Sequence, residues 1–215
     1  MESKNQQKQK LDNFFRSGVR LAYKRGETII RADDTPAGIY YIESGYVKAC
    51  CTTKYGEENL LMMRKDGEIF PFIWAFTGKH RNTSYETMTA CTLWKVSRDE
   101  YLKFLNENPD ILPILLDVVI EKYSLHSDRL NSLSYRTARE RIVSFLIILS
   151  DRFSTSTKDG IRIDAPVKRQ DIASSISATR ETTSREMSLL TKNGLISEID
   201  GHIVLINIEK LRKMV

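Results

Sequence analysis

The stretch Val167–Leu190, Val-Lys-Arg-Gln-Asp-Ile-Ala-Ser-Ser-Ile-Ser-Ala-Thr-Arg-Glu-Thr-Thr-Ser-Arg-Glu-Met-Ser-Leu-Leu, admits few folds. It reads as two short helices joined by a tight turn. Asp171, Ile172, Ala173 and Ile176 belong to the first helix, with small Ala173 where two helices approach closely. Ser177-Ala178-Thr179 forms the turn. Thr179 is placed to cap the next helix, because its hydroxyl accepts from an N–H that the first turn leaves unpaired. The second helix runs from Arg180 to Lys192 with Met187 and Leu190 facing inward. On a 3.6-residue period Arg180, Glu181, Ser184 and Arg185 then share the outer face. Two guanidinium forks, a carboxylate and a hydroxyl suit hydrogen bonding to base edges in a DNA major groove. In isolation, Arg-Glu-x-x-x-Arg is an ordinary salt-bridged surface. The context decides. Residues 194–206 follow with Asp200-Gly201 between two apolar runs, the mark of a hairpin. Helix, turn, helix and hairpin make a winged helix-turn-helix.

The charge is placed to match. Of the formal net charge of +5, residues 136–215 hold 14 Lys+Arg against 10 Asp+Glu, while residues 1–135 hold 19 against 18. The excess lies with the segment that would meet phosphates. The three cysteines, Cys50, Cys51 and Cys91, include an adjacent pair whose side chains point to opposite faces of a strand, which suits structural thiols rather than metal ligands and fits a reducing, cytoplasmic setting. The polar N-terminus carries no signal-peptide pattern, its first ten residues read as a frayed tail, and no apolar run reaches transmembrane length. With only His80, His126 and His202 as histidines, no Ser/His/Asp grouping, metal spacing or phosphate-cradling glycine loop emerges, so no catalytic residue is assigned.

From Leu11 to about Lys103 the pattern is one of short strands punctuated by turns. Residues 28–30, 38–42, 46–51 and 60–63 read as strands; Gly26, Asp33-Asp34, Ser44-Gly45, Tyr55-Gly56 and Asp66-Gly67 separate them, and residues 87–96 add a hairpin arm. This spacing predicts an antiparallel β roll. Ser97 and Glu100 form a capping box for a short helix. The run Phe70, Phe72, Trp74, Phe76 alternates, which would put all four on one face, as core, as the lining of an apolar pocket, or as its filling. Pro109 opens a long helix in which Leu112, Leu116, Val119, Tyr123, His126, Leu130 and Leu133 fall at alternating four- and three-residue steps. Such a seam predicts a parallel homodimer; the competing reading packs it on the chain's own β domain. Tyr123 and His126 interrupt it, to set register or to hold a ligand. A second helix spans 135–153 with Ile142, Phe145, Leu146 and Leu149 inward, then a polar loop at 154–160 and a short strand at 161–163. The expected class is α+β, divided into a β roll (11–108), a dimerisation helix (109–135) and a winged helix-turn-helix (136–215).

This order resembles the cyclic-AMP receptor/fumarate-nitrate regulator (Crp–Fnr) family of bacterial transcription regulators. The resemblance rests on Arg169-Gln-Asp-Ile-Ala173 with Thr179-Arg-Glu-Thr-Thr-Ser-Arg185, on Tyr40–Lys48 in the roll, and on Ala138-Arg-Glu-Arg-Ile142. It implies a cyclic-nucleotide-binding-like roll and a homodimer that binds double-stranded DNA and works with RNA polymerase. It implies base reading by Glu181 and Arg185, with Arg180 matching the cyclic-AMP branch and Ser184 the Fnr branch. Arg169, Gln170, Thr179 and Thr182 match positions that hold phosphates. The helix that carries Arg180 and Ser184 is thus a hybrid of the two branches, which leaves its exact half-site open; the expectation from Glu181 accepting from a cytosine amine and Arg185 gripping guanine N7 and O6 is a TGA core.

The effector side departs further. The family's nucleotide pocket uses Gly-Glu for the ribose, Arg-Ser for the cyclic phosphate and Thr-Ser on the dimer helix for the base. Here Gly67-Glu68 is present, Arg81-Asn82 stands for Arg-Ser after a lengthened loop, and His126-Ser127 stands for Thr-Ser, with Tyr123 nearby. No cysteine precedes Cys50, which leaves no iron–sulfur cluster motif, and haem would rest on His80 or His126. No cofactor is assigned, and a small effector of unknown identity remains compatible with the pattern. The alternative function is a small-ligand sensor whose DNA binding is secondary.

Overall fold

The turn-punctuated first half folds, in the computed structural model, into two antiparallel sheets. The structure describes residues 3–54, 56–79 and 81–215. Tyr55 of one expected turn and the candidate haem ligand His80 lie outside the described residues. The strands are β1 (Val19–Tyr23), β2 (Thr28–Ile30), β3 (Ile39–Ser44), β4 (Val47–Thr52), β5 (Glu58–Arg64), β6 (Ile69–Phe70), β7 (Ser84–Thr87) and β8 (Cys91–Val96). One sheet has the order β1-β8-β3-β6 and the other β2-β7-β4-β5. Strand β3 shows why a continuous apolar run, rather than an alternating one, marks the centre. Tyr40 and Ile42 join Val47, Phe70, Tyr85 and Leu93 between the sheets, while Ile39 and Tyr41 join Phe15, Tyr101 and Leu105 beneath the helices. The β3–β4 turn needs Gly45: φ is +100°, and a Cβ there would stand 2.6 Å from the Ala90 carbonyl oxygen.

Two expectations for this half are corrected. Residues 4–10 are no frayed tail but the start of α1 (Lys4–Arg16). Ser3 and Gln6 form a capping box, and Leu11 and Phe15 are buried, with Phe15 stacked on Tyr41 at 5.3 Å. The helix exists because its apolar side chains reach a core made by distant strands. The aromatic run does not share one face. Phe70 lies in β6 and stacks on Tyr40 and Tyr85. The chain then turns into α2 (Phe72–Thr77), whose period brings Phe72 and Phe76 together at 5.0 Å. Helix α3 (Arg98–Glu107) carries the expected Ser97–Glu100 capping box. A 3-10 turn at Pro109–Ile111 leads into α4 (Leu112–Leu133).

The chain divides into two compact units between Glu121 and Lys122, within α4. The second holds α5 (Ala138–Phe153), β9 (Ser154–Thr157), β10 (Gly160–Ile163), α6 (Arg169–Ser175), α7 (Arg180–Lys192), β11 (Ile196–Ile199), β12 (His202–Leu205) and α8 (Ile208–Arg212). Its sheet has the order β11-β12-β10-β9. The expected loop at 154–160 is thus replaced in part by a strand. Exposed on all four residues, β9 is held by its ladder to β10 rather than by burial. Ile142, Phe145, Leu146 and Leu149 are buried on α5, as the period requires. Asp200 and Gly201 take φ of 50° and 76°, the left-handed pair of a two-residue hairpin turn.

Candidate nucleic-acid interface

Helix α7 begins where the sequence places it. The Thr179 hydroxyl accepts from the Thr182 N–H at 3.1 Å and lies 2.9 Å from the Thr182 hydroxyl. Thr183, Met187 and Leu190 are buried, and the helix packs against α5 and α6. The opposite face is therefore outward: Arg180, Glu181 and Arg185 are exposed, and Ser184 is half-buried. These four stand together as the sequence requires. Gln170 and Thr179 are exposed and Arg169 and Thr182 half-buried, flanking the same end of α7.

Side chains that the sequence reading did not single out fix this arrangement. Arg141 donates through Nε to the Ile176 carbonyl at 3.1 Å and through Nη1 to that of Tyr135 at 2.9 Å. Arg129 donates to the Ser175 carbonyl at 3.3 Å. Both arginines thus cap carbonyls at the end of α6, where helical partners run out and the dipole favours a cation. Glu186, mostly buried, pairs with Arg139 of α5 at 2.9 Å and with Arg185 at 3.5 Å. It ties the outward arginine to the scaffold. Arg139 and Arg141 lie in the phrase Ala138–Ile142, the signal that was visible in sequence. Beside the N-terminus of α6, the Asp171 carboxylate accepts from the Lys168 N–H at 2.8 Å. Arg169 reaches across to Glu198 on β11. Lys168, Arg169, Gln170, Arg180 and Glu198 line an open cleft of about 480 Å³. Below the wing, Asp164 accepts from Thr155 at 2.6 Å and from Arg162 at 2.8 Å. Burial opposes its charge, but these bonds, with Arg162 and His202 nearby, hold its carboxyl below the usual range.

The residues matched to an effector pocket are divided between the units. In the first, Gly67 takes φ of +81°, and Glu68 is paired with Arg64 at 3.3 Å, both side chains being largely buried. Arg64 also donates to the Ile69 carbonyl at 3.4 Å, and its Nε is buried without a partner. Burial pushes the Tyr85 phenol up, against the pull of Arg64 and, less, of Arg81. Arg64 was not anticipated; a basic residue closing an apolar strand carries no distinguishing pattern. Arg81 is exposed, and Asn82 donates to the Thr52 carbonyl at 3.3 Å. In the second unit, Tyr123 and His126 are exposed on α4 and Ser127 is half-buried.

The sequence matches the model of the cyclic nucleotide-binding domain over residues 20–108 and that of the Crp-like helix-turn-helix domain over residues 140–214. The chain belongs to the Crp/Fnr family of transcriptional regulators. This regulator is 28% identical over 187 residues to the global nitrogen regulator of Synechococcus elongatus, covering 86% of this chain and 84% of that one. It is 26% identical over 177 residues to the cAMP-activated global transcriptional regulator CRP of Salmonella typhimurium, covering 81% and 83%. Its fold matches that of FixK2 from Bradyrhizobium japonicum with a TM-score of 0.78, at 21% identity over 91% of this chain and 96% of that one. The expected class therefore holds: an α+β regulator with a cyclic-nucleotide-binding-like β roll, a long helix and a winged helix-turn-helix that binds DNA. Among the described residues, no helix is long and apolar enough to cross a membrane.

Proposed function

We propose that two copies of this regulator pair along α4 and read an inverted repeat, each through α7. The carrying observation is the state of the seam. Leu112, Leu116, Val119, Tyr123, Leu130 and Leu133 keep between 40% and 74% of their surface exposed, while Ile111 and Leu115 are buried in the chain's own core. Within the first unit, a stripe that served the β domain would be covered at Leu112, Leu116 and Val119. Left open, it suits a second copy of itself, and a two-fold axis sets two recognition helices one DNA turn apart. In this reading residues 109–135 dimerise, 11–108 sense and 136–215 bind DNA.

Glu181 accepts from a cytosine amine and Arg185 grips guanine N7 and O6, with Arg180 and Ser184 completing the readout of a TGA-containing half-site. Arg169, Gln170, Thr179 and Thr182 hold phosphates. The dimer works in the cytoplasm beside RNA polymerase. A small effector in the roll, reported through Tyr123, His126 and Ser127, shifts the balance between two dimer arrangements. That effector is not cyclic AMP. Glu68 is already engaged by Arg64, and the Asn82 amide is spent on Thr52. A cyclic phosphate needs fixed donors around its charge, and Arg81 followed by Asn82 in place of a serine does not supply them.

Selection of bound duplexes from random DNA tests the reading. The wild-type protein returns an inverted repeat. Arg185→Ala relaxes one base position in each half, at a cost of about 1–3 kcal/mol, while Arg169→Ala weakens all sequences alike. Recovery of single half-sites, or the same loss of preference in both variants, refutes it.

A further inference from the structure

The cleft between α6 and the wing contains an anion that belongs to the protein itself. Glu198 of β11 stands 2.5 Å from Nη2 of Arg169, within a cleft whose other charged groups are Lys168 and Arg180. The contact joins one guanidinium nitrogen to one carboxylate oxygen. The neighbouring Nη1 of Arg169 is buried and has no partner. A bidentate acceptor would satisfy both nitrogens; Glu198 satisfies one. With side-chain exposures of 31% and 51%, the pair is partly hydrated and cheap to open. A phosphate offers more acceptor oxygens in the geometry a guanidinium fork prefers.

We propose that Glu198 is an autoinhibitory residue that sets DNA affinity: it occupies Arg169 as a stand-in for a DNA phosphate and yields when the duplex is seated. The proposal rests on the reading that Arg169 contacts phosphate. In a loose, sequence-independent complex, no phosphate is held in the cleft and the pair stays closed, so Arg169 adds nothing. In the seated complex, a phosphate displaces Glu198 and takes both guanidinium nitrogens. The seated complex thus loses the small value of the ion pair, whereas the loose complex, in which the pair stays closed, loses nothing. Glu198 therefore lowers affinity for the operator without lowering it for other DNA.

A double-mutant cycle on the whole 215-residue chain decides it. Binding is measured across a salt series to an operator selected from random DNA and to a scrambled duplex of the same length. Glu198→Gln removes the charge at constant shape. Asp200→Asn removes a like charge two residues away and serves as the control for general repulsion. Opening the pair in advance should tighten operator binding by about two- to fivefold, the range of an exposed ion pair. Scrambled DNA should gain less, no more than Asp200→Asn gives it, because the pair stays closed in the wild-type complex there and no extra phosphate is held. In the Arg169→Ala background, Glu198→Gln should then change binding no more than Asp200→Asn does. Three results overturn the proposal: equal gains on both duplexes, a gain matched by Asp200→Asn, or a gain that survives without Arg169. If Arg169→Ala alone leaves affinity and salt slope unchanged, the phosphate reading falls with it. If Arg169→Ala weakens binding while the cycle shows no coupling, the phosphate reading stands and the role of Glu198 falls.

Discussion

Replacing Leu130 by alanine isolates the seam of α4 from everything else in the chain. Leu130 keeps 69% of its surface exposed, so about two-thirds of the side chain is left for a partner to cover. Full burial of a leucine is worth about 1.5–3 kcal/mol, and the uncovered part therefore about 1–2 kcal/mol in each subunit. Both copies change together, so the dimer loses about 2–4 kcal/mol, which weakens self-association by about 30- to 700-fold. The helix itself is spared, because alanine and leucine are both strong helix formers. Val118, 38% exposed and about 100° around the helix from Val119, provides the matched control. A dilution series followed by light scattering or sedimentation gives both dissociation constants. Leu130→Ala should also move inverted-repeat binding to higher protein concentration, leaving half-site affinity unchanged. Equal dissociation constants for the wild type, Leu130→Ala and Val118→Ala would refute the seam as the interface.

Titration calorimetry with cyclic AMP should show no binding at micromolar concentration; micromolar affinity coupled to tighter DNA binding contradicts the role given to the Arg64–Glu68 pair. Asp164 contributes through its lowered pKa: the stabilisation is present above the unfolded value and is lost as pH falls through the lower folded value. The melting temperature of Asp164→Asn should thus lie below that of the wild type at neutral pH and meet it in acid; parallel curves at all pH values disprove the linkage. Met187→Ala opens a cavity beneath the fully buried face of α7 and should cost the second unit about 2–5 kcal/mol, measured by denaturant unfolding. A loss well under 1 kcal/mol would show that the recognition helix does not depend on that packing.

Local rules explain what was legible in the sequence. Helix α7 keeps its expected bounds, Arg180 to Lys192, because a Thr cap and a 3.6-residue apolar period are properties of neighbouring residues. The same holds for the Ser97–Glu100 box and the Asp200-Gly201 turn, and for the outward face of Arg180, Glu181, Ser184 and Arg185. Tertiary structure decided whatever depends on a distant partner. Residues 4–10 are helical because Leu11 and Phe15 of the same helix find a core in β3 and α3. Ser154–Thr157 is a strand because β10 offers it a ladder, although its own residues are polar and exposed. The alternating aromatics divide between β6 and α2, since a period of two in sequence does not oblige the backbone to stay extended when a helix also buries them. Arg139 meets Glu186 across 47 residues and Arg169 meets Glu198 across 29. No local pattern announces such pairs. A charged residue can satisfy its hydrogen bonds in water from almost any surface position, so only the packing of α5, α6, α7 and the wing selects which carboxylate each arginine finds.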